Sequence, residues 1–590
     1  MNGSSAQGGL RCLAPALALA LGLTSAGCGP RPARKPAVGL QPVLDLPFEG
    51  VMASDQVVIG HDRRRALLGT ARFRAHVPRS ALLSFALAAV HSGEDVPRGF
   101  VRLSVRVDGQ PVGERRTNPR TSPGFRATSL SFEGPGRPAL LELDLALVDG
   151  RGQPIPVPAG VRPVAADLNL VDRDALPDRR GVVFVSIDTL RRDHVSFYGY
   201  PKPTTPHLDA RARTGLVFDD AVSVSSWTLP AHFTMMTSVE PAAHGAVHSK
   251  VGFNYRVPTL AAILRGRGFR THAITSAAYV SPRYGFDDGF DQTNYVHDRR
   301  GFQVADHAID FLDRLEERPF FLFLHFYDPH WPYDPPDNLL RHFETGYSGP
   351  LSAPGWVLED FPKHKTSAAD VAHVKALYDG EIRYTDGQLN RVLEHLAKRG
   401  LARHTLLLVT SDHGEAFLEH GTWSHGHRLY EELVRIPLLL HGPGVPTGRV
   451  PQQVSLMDLA PTVLGWLGLP PQPEHRGRSL LGRLEDREGF GETANPKGMQ
   501  RLFLRAGHDR WKVVLEVDRR TSGVSAEEGY DLGRDPGETV QAPPPAAAAE
   551  AIRRRLVALW SASGRAADGA KVDLSPTEIE QLRAVGYLQN

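Results

Sequence analysis

The segment Gly181–Ile187 reads Gly-Val-Val-Phe-Val-Ser-Ile, a run without the polar alternation of a half-exposed strand. A strand of that kind has to be covered on both faces, as parallel strands inside an α/β sheet are. Similar runs recur at Phe320–Phe326, Thr405–Val409 and Ile436–Leu440, and they read as further buried parallel strands. Between them, Gln303–Leu315, Asp370–Leu396 and Leu456–Leu467 repeat apolar residues at helical spacing. Strands alternating with helices imply a doubly wound α/β sheet, mixed but mostly parallel. Ligands of such sheets bind beyond the carboxyl ends of the strands.

Upstream the pattern is different. Ala81–Leu87, Val101–Val107 and Leu140–Leu145 alternate apolar and polar residues, and Asp108-Gly109 and Asp149-Gly150 supply turns. Residues 45–172 therefore read as an all-β sandwich in front of the α/β body. A binding module and a structural spacer both fit it. The α/β body is placed at 178–545 and a helical tail at 546–590. With 41% hydrophobic and 23% charged residues the chain has the composition of a globular protein. The 68 basic and 66 acidic residues leave a net charge of +2, which gives no reason to expect a nucleic-acid partner.

Both cysteines, Cys12 and Cys28, lie in the first 28 residues. A disulfide framework, a cysteine metal site and a catalytic thiol are thereby excluded from the folded body. Leu13–Leu23 is an apolar run following Arg11. It is too short to span a bilayer but suits the central region of a signal peptide. It ends in Thr24-Ser25-Ala26-Gly27-Cys28, which resembles the lipobox of bacterial lipoproteins. That resemblance makes 1–28 the signal segment and Cys28 the lipidated residue, with secretion after cleavage near Ala26 as the alternative. Residues 29–44, rich in proline, read as a tether. The expected location is the cell envelope, with the membrane reached only through the lipid. Gly29 after Cys28 resembles an outer-membrane address, facing periplasm or exterior.

Three sets of polar residues follow buried runs directly: Asp188; Asp328 with His330; Asp412 with His413. All would share one edge of the sheet. A lone Asp there is as easily a helix cap, but three with two histidines read as a site. A fourth element is Ser225-Ser226-Trp227-Thr228-Leu229-Pro230-Ala231-His232. Pro230 marks an early helical position, which puts Thr228 at the cap. Backbone N–H groups at a helix start attract a phosphate or sulfate. A threonine hydroxyl held there is a poor nucleophile until a metal or base takes its proton.

Six segments occur in order: Gly181–Tyr200, Trp227–His232, Pro241–Gly245, Tyr327-Asp328-Pro329-His330, Ser411-Asp412-His413-Gly414-Glu415 and Tyr530–Glu538. Together they resemble the sulfatase family of the alkaline phosphatase superfamily, from about residue 180 to 540 along this chain. Leu574–Leu588 looks like a tail of bacterial members. The resemblance implies a metal-dependent hydrolase or transferase acting on sulfate or phosphate esters. It makes Asp188, Asp412 and His413 metal ligands and Thr228 both nucleophile and ligand. His330 and His425 resemble the histidines that hold a second metal or the ester oxygens. His232 stands where sulfatases carry an arginine beside the nucleophile. One or two divalent ions are expected. Carboxylate and imidazole donors put zinc first, with calcium, manganese or magnesium as alternatives. His420 and His427 read equally as loop histidines or ligands, and Trp331-Pro332-Tyr333 as a substrate wall or as packing. Asp193-His194, Tyr198-Gly199-Tyr200 and Asp386 read as structural.

The chain departs from sulfatases where it matters most. They place Cys or Ser at the position of Thr228 and oxidise it to formylglycine. Threonine carries a methyl on its β-carbon and cannot become that aldehyde. Asp188 is followed by Thr189 where sulfatases place a second acid, and His425 replaces a lysine. These changes favour the superfamily's threonine enzymes, acting on a phosphate ester or diester of the cell envelope or environment. A sulfuric ester hydrolase without formylglycine is the alternative within the same class. A surface binding protein on a decayed enzyme scaffold is the alternative from another class.

Overall fold

The computed structural model describes residues 40–572, apart from 47, 51–52, 60–61, 92–97, 121–125, 175–179, 316–317, 344–345, 353–365, 495–498, 507–509, 519–523 and 564–568. The expected signal segment with Cys28, most of the tether and the Leu574–Leu588 tail lie outside the described residues. No helix among the described residues is long and apolar enough to cross a membrane.

Two antiparallel sheets form the N-terminal sandwich. One joins Ala53–Ile59, Asp62–Leu67, Val161–Asp172, Ser80–His91 and Arg126–Glu133, and the other joins Phe48–Gly50, Ala71–Val77, Arg137–Val148, Phe100–Val107 and Gln110–Thr117. Their inner faces meet in a core that includes Phe73, Leu83, Phe85, Leu103, Leu141 and Leu143. Asp108 and Gly109 both take positive φ (49° and 78°). That is the two-residue turn whose twist matches paired strands. The sandwich begins earlier than the sequence suggests. Leu40–Pro42, read above as tether, pairs with Asn169–Val171, and Val43 and Leu44 are buried in the core.

The α/β body is built on a nine-stranded sheet. Gly181–Ile187 lies at its centre, parallel to Phe320–Phe326 on one side and Thr405–Ser411 on the other. Every residue of these three strands is buried. Arg270–Thr275 and Gln292–Tyr295 extend the parallel side. The expectation for Ile436–Leu440 is corrected. Pro437 interrupts the run, and Leu438–His441 is antiparallel to Thr405–Ser411. Residues 412–434 stay at the edge where Thr405–Ser411 ends, so the chain returns down the sheet directly. A parallel return would need a crossover. Leu216–Val222 pairs antiparallel with Leu438–His441 and so runs with the parallel set, ending at the same edge. Helices Gly301–Asp313 and Ala368–Lys398 cover one face, and Thr228–Thr237 and Leu459–Trp466 the other. A four-stranded antiparallel sheet (Gly489–Ala494, Met499–Arg505, Trp511–Asp518, Val524–Asp531) follows, packed under helix Ala546–Ser563. The sequence reading had not separated this sheet.

Candidate functional site

Asp188, Asp412 and His413 leave the ends of two adjacent parallel strands and are fully buried. Each offers a ligand atom within 4.8 Å of the others. His413 Nε2 lies 3.3 Å from Asp412 Oδ2 and 3.7 Å from Asp188 Oδ1. Asp412 Oδ1 accepts from the His413 and Thr189 backbone N–H groups at 2.8 and 3.2 Å. Its Oδ2 and both oxygens of Asp188 meet no hydrogen-bond donor. Burial holds the Asp188 carboxyl well above the usual range, with the charges of Asp412 and Glu415 adding to it. Burial likewise pushes Asp412 up to about 6.

The histidine tautomers follow from their partners, because a carbonyl oxygen can only accept. His413 Nδ1–H donates to Gly414 O at 2.8 Å, His232 Nδ1–H to Thr228 O at 2.8 Å and His330 Nδ1–H to Trp331 O at 2.6 Å. His425 Nδ1–H donates to Glu415 Oε1 at 3.0 Å. Each neutral ring therefore carries its lone pair on Nε2, the arrangement of a metal ligand or a base. Burial keeps all four rings neutral and drives His330 and His425 down to about 3. The rings cluster: His413 to His425 is 4.4 Å, and His425 to His330 is 5.0 Å.

Thr228 is corrected from cap to first helical residue. Trp227 takes the extended cap backbone, and helix Thr228–Thr237 starts one residue later. The hydroxyl is buried and donates to His413 Nε2 at 3.4 Å. Gly426 N–H donates to Ser226 O at 2.8 Å, which pins the His425 loop to the nucleophile segment.

The structure also brings in residues that the sequence reading passed over. His325, on strand Phe320–Phe326, is fully buried, and neither ring nitrogen has a hydrogen-bond partner. Its Nε2 stands 3.3 Å from Asp188 Oδ2 and its ring 4.9 Å from that of His232. Glu415 orients His425 and accepts from Tyr333 O–H at 3.2 Å. Thr189 has φ of 56°, a conformation that a β-branched residue rarely adopts.

Other candidates resolve as structural. Asp328 Oδ2 accepts from Gly301 N–H at 2.7 Å and so caps helix Gly301–Asp313. His420 bonds Glu432 and the carbonyl of Glu538. His427 bonds the carbonyl of His425 at 2.7 Å. His194 is held by Asp379 at 2.7 Å, and Asp386 caps the short helix Pro206–Ala212. Trp331 and Tyr333 are buried in the core.

Among the described residues no lysine or arginine pairs with either acid, the site's imidazoles are neutral, and three carboxylate oxygens are buried without a donor. Buried anions in that state need a counter-charge. The donor set, two carboxylates and an imidazole with its lone pair inward, fits a divalent metal.

Known proteins resemble the chain in sequence and in fold. The family model described as Sulfatase matches residues 180–469. Over those 290 residues, just under half of its length, the chain is similar to the sulfatase family. Its relatives include proteins named as a sulphohydrolase and an arylsulfatase. Human N-sulphoglucosamine sulphohydrolase is 30% identical over 319 residues, 48% of this chain and 61% of that one. The match thus spans less than two thirds of that relative. The phosphonate monoester hydrolase of Agrobacterium radiobacter shares the fold, with a TM-score of 0.53 at 19% identity over 65% of this chain and 96% of that one. So does a structure solved with D-glucosamine-2-N,6-O-disulfate as its substrate, with a TM-score of 0.53 at 18% identity over 65% and 98%.

Proposed function

We propose that this chain is a metal-dependent hydrolase or transferase of the sulfatase family, which loads Thr228 covalently from a phosphate ester or diester. One observation carries the reading: a threonine hydroxyl, at the first turn of a helix, points at an acid–imidazole cluster whose carboxylates have no counter-charge. Asp188, Asp412, His413 and Thr228 would hold the metal, zinc first given the imidazole; His330 and His425 would face the ester oxygens or a second ion. A divalent cation bound there would lower the pKa of the hydroxyl and neutralise charge on the ester.

The side chains account for the proton and the bonds. Thr228 Oγ1 forms a bond to the central phosphorus in line with the departing oxygen, and the ester P–O bond breaks. The hydroxyl proton ends on the departing alkoxide, which leaves as the alcohol. His330 and His425 are neutral and keep an Nε2 lone pair, so either can carry that proton across. In the second step one of them takes the proton of a water or an acceptor alcohol as its oxygen bonds to phosphorus. The Thr228 Oγ1–P bond then breaks, and the proton returns to Thr228. His232 is neutral where sulfatases carry arginine, so it orients Thr228 through its carbonyl and adds no charge.

Sulfate-ester hydrolysis by unmodified Thr228 is the second reading, favoured by the names of the relatives. A panel of aryl phosphate, aryl phosphodiester and aryl sulfate, run on wild type and Thr228→Ala, separates the two. Phosphate or diester turnover that falls at least about 1000-fold in the variant is expected. Turnover of sulfate alone, undiminished in Thr228→Ala, defeats the proposal.

A further inference from the structure

One short strand of the C-terminal sheet touches both halves of the catalytic cluster. Gly489–Ala494 lies beyond residue 469, where the match to the family model ends. Glu492 N–H donates to Val224 O at 2.8 Å, and Glu492 O accepts from Ser225 Oγ at 2.7 Å. The strand is thereby bonded to the segment that leads into Thr228. Gly491 makes this close approach possible, because a Cβ there would stand 2.7 Å from Val224 O and 2.3 Å from the Phe503 ring.

The next residue along the strand reaches the other half. Thr493 is buried, and its hydroxyl donates to Gly426 O at 2.8 Å. Arg501 stands directly opposite Thr493 on the neighbouring strand Met499–Arg505, and its Nη1 donates to His427 O at 2.6 Å. The guanidinium is steadied by Glu516 on the strand beyond. His427 Nδ1–H in turn donates to His425 O at 2.7 Å. Three successive carbonyls of the His425 loop are therefore each bonded by a side chain, two of them from the C-terminal sheet.

The loop needs such ties. Ser424 and Gly426, on either side of His425, have φ of 66° and 84°. That is the left-handed region, which a residue with a β-carbon such as Ser424 adopts only at a cost. Glu415 orients the His425 ring from its Nδ1 side, but where the ring sits depends on the backbone that carries it.

We infer that Thr493 and Arg501 are positioning residues for His425, and that the C-terminal sheet is a working part of the active site. The strand Gly489–Ala494 fixes the spacing between the Thr228 helix and the His425 loop, since Glu492 grips one and Thr493 the other. An imidazole that carries a proton must keep its nitrogen within hydrogen-bond reach of the reacting oxygen. A misplacement of about 1 Å can cost about 100-fold in rate. This inference rests on the reading of His425 as a residue that faces the ester, and it holds for a phosphate and a sulfate ester alike.

The test compares Thr493→Val, Thr493→Ser and Arg501→Met with the wild-type full chain. The readouts are kcat and KM on whichever aryl ester of the panel above is turned over, and nitrogen NMR of the His425 ring. Thr493→Val removes the hydroxyl at nearly constant volume; it should lower kcat about 10- to 100-fold, change KM by less than about 3-fold and shift the His425 signals. Thr493→Ser keeps the donor and should recover most of the rate and the wild-type signals. Arg501→Met should lower kcat in the same direction. Leu556→Ala loosens the core between the same sheet and its helix; it should lower the melting point and leave kcat and the ring signals unchanged. A Thr493→Val protein that keeps wild-type kcat, or whose His425 spectrum is unchanged, overturns the inference. So does a loss that Thr493→Ser does not recover, or one that Leu556→Ala reproduces. Should no aryl ester be turned over, the His425 spectra alone decide. Thr228→Ala that keeps its turnover while Thr493→Val shifts the His425 signals and lowers kcat would defeat the nucleophile reading and leave this one standing.

Discussion

Replacing Asp412 by asparagine should stabilise the metal-free protein while abolishing its response to metal. In the folded chain burial raises the Asp412 carboxyl to about 6, from an ordinary value of about 4. At neutral pH the group is ionised in both states, and a rise of that size corresponds to about 3 kcal/mol of destabilisation. The sign is fixed by the direction of the change. Between the two values the folded state binds more protons than the unfolded, so metal-free stability falls as pH climbs from about 4 to 6. Asparagine retains Oδ1 for the His413 and Thr189 N–H groups. Its Nδ2 takes the place of the donorless oxygen, 3.3 Å from His413 Nε2, whose lone pair already accepts from the Thr228 hydroxyl, so the gain comes from removing the charge. For a body of roughly 360 residues, unfolding entropy near 0.8 kcal/mol per kelvin turns about 3 kcal/mol into a melting-point rise of about 4 °C. Metal reverses the order. Ligand at about 100 times its Kd adds about 2.7 kcal/mol to wild type and should add nothing to the variant. The assay is differential scanning fluorimetry of chelator-treated protein at pH 7.5, with and without zinc or manganese. A metal-free Asp412→Asn that melts below wild type, or that gains as much from metal, refutes the reasoning.

Two further substitutions probe the supports of the site. Glu415→Gln puts an amide against His425 and Tyr333; where the amide donates to His425, the ring proton moves to Nε2. We expect kcat to fall about 10- to 100-fold with little change in KM, and nitrogen NMR of the His425 ring to report the altered tautomer. An unchanged ring spectrum with unchanged kcat would remove Glu415 as a positioning residue. Lys512→Met strips the cation from between Glu431, at 3.1 Å, and Glu538, at 2.9 Å, all of them buried. The loss should be about 3–5 kcal/mol at pH 8 by urea unfolding. Burial already lifts Glu538 to about 7, so protonation should shrink the loss at pH 5.5; a larger loss in acid contradicts this account.

How far the chain is legible in sequence depends on where a residue's partners lie. The three central strands were legible because burial on both faces leaves a continuous apolar run, and a polar residue just past its end has one place to go. Asp188 and Asp412 could be placed in this way. Asp328 has the same local context, yet it caps a helix whose first N–H comes from Gly301, far away in sequence. Strand-end position proposes a site residue, and only the tertiary partner decides. Leu438–His441 looked parallel because an apolar run carries no direction, which is set by whether the preceding loop crosses the sheet or stays at one edge. Thr228 sits one residue inside its helix because Trp227 takes the extended backbone, a shift that Pro230 does not resolve. His325 shows the remaining limit. It is the one polar residue in Phe-Phe-Leu-Phe-Leu-His-Phe, and that interruption was the available signal. Phe321, Phe323 and His325 alternate onto one face, where Phe321 and Phe323 join the core beneath the Thr228 helix. Only the pairing with Gly181–Ile187 sets His325 beside Asp188. A polar residue in an otherwise apolar central strand, one step from its carboxyl end, therefore warrants the same scrutiny as the residues that follow the strand.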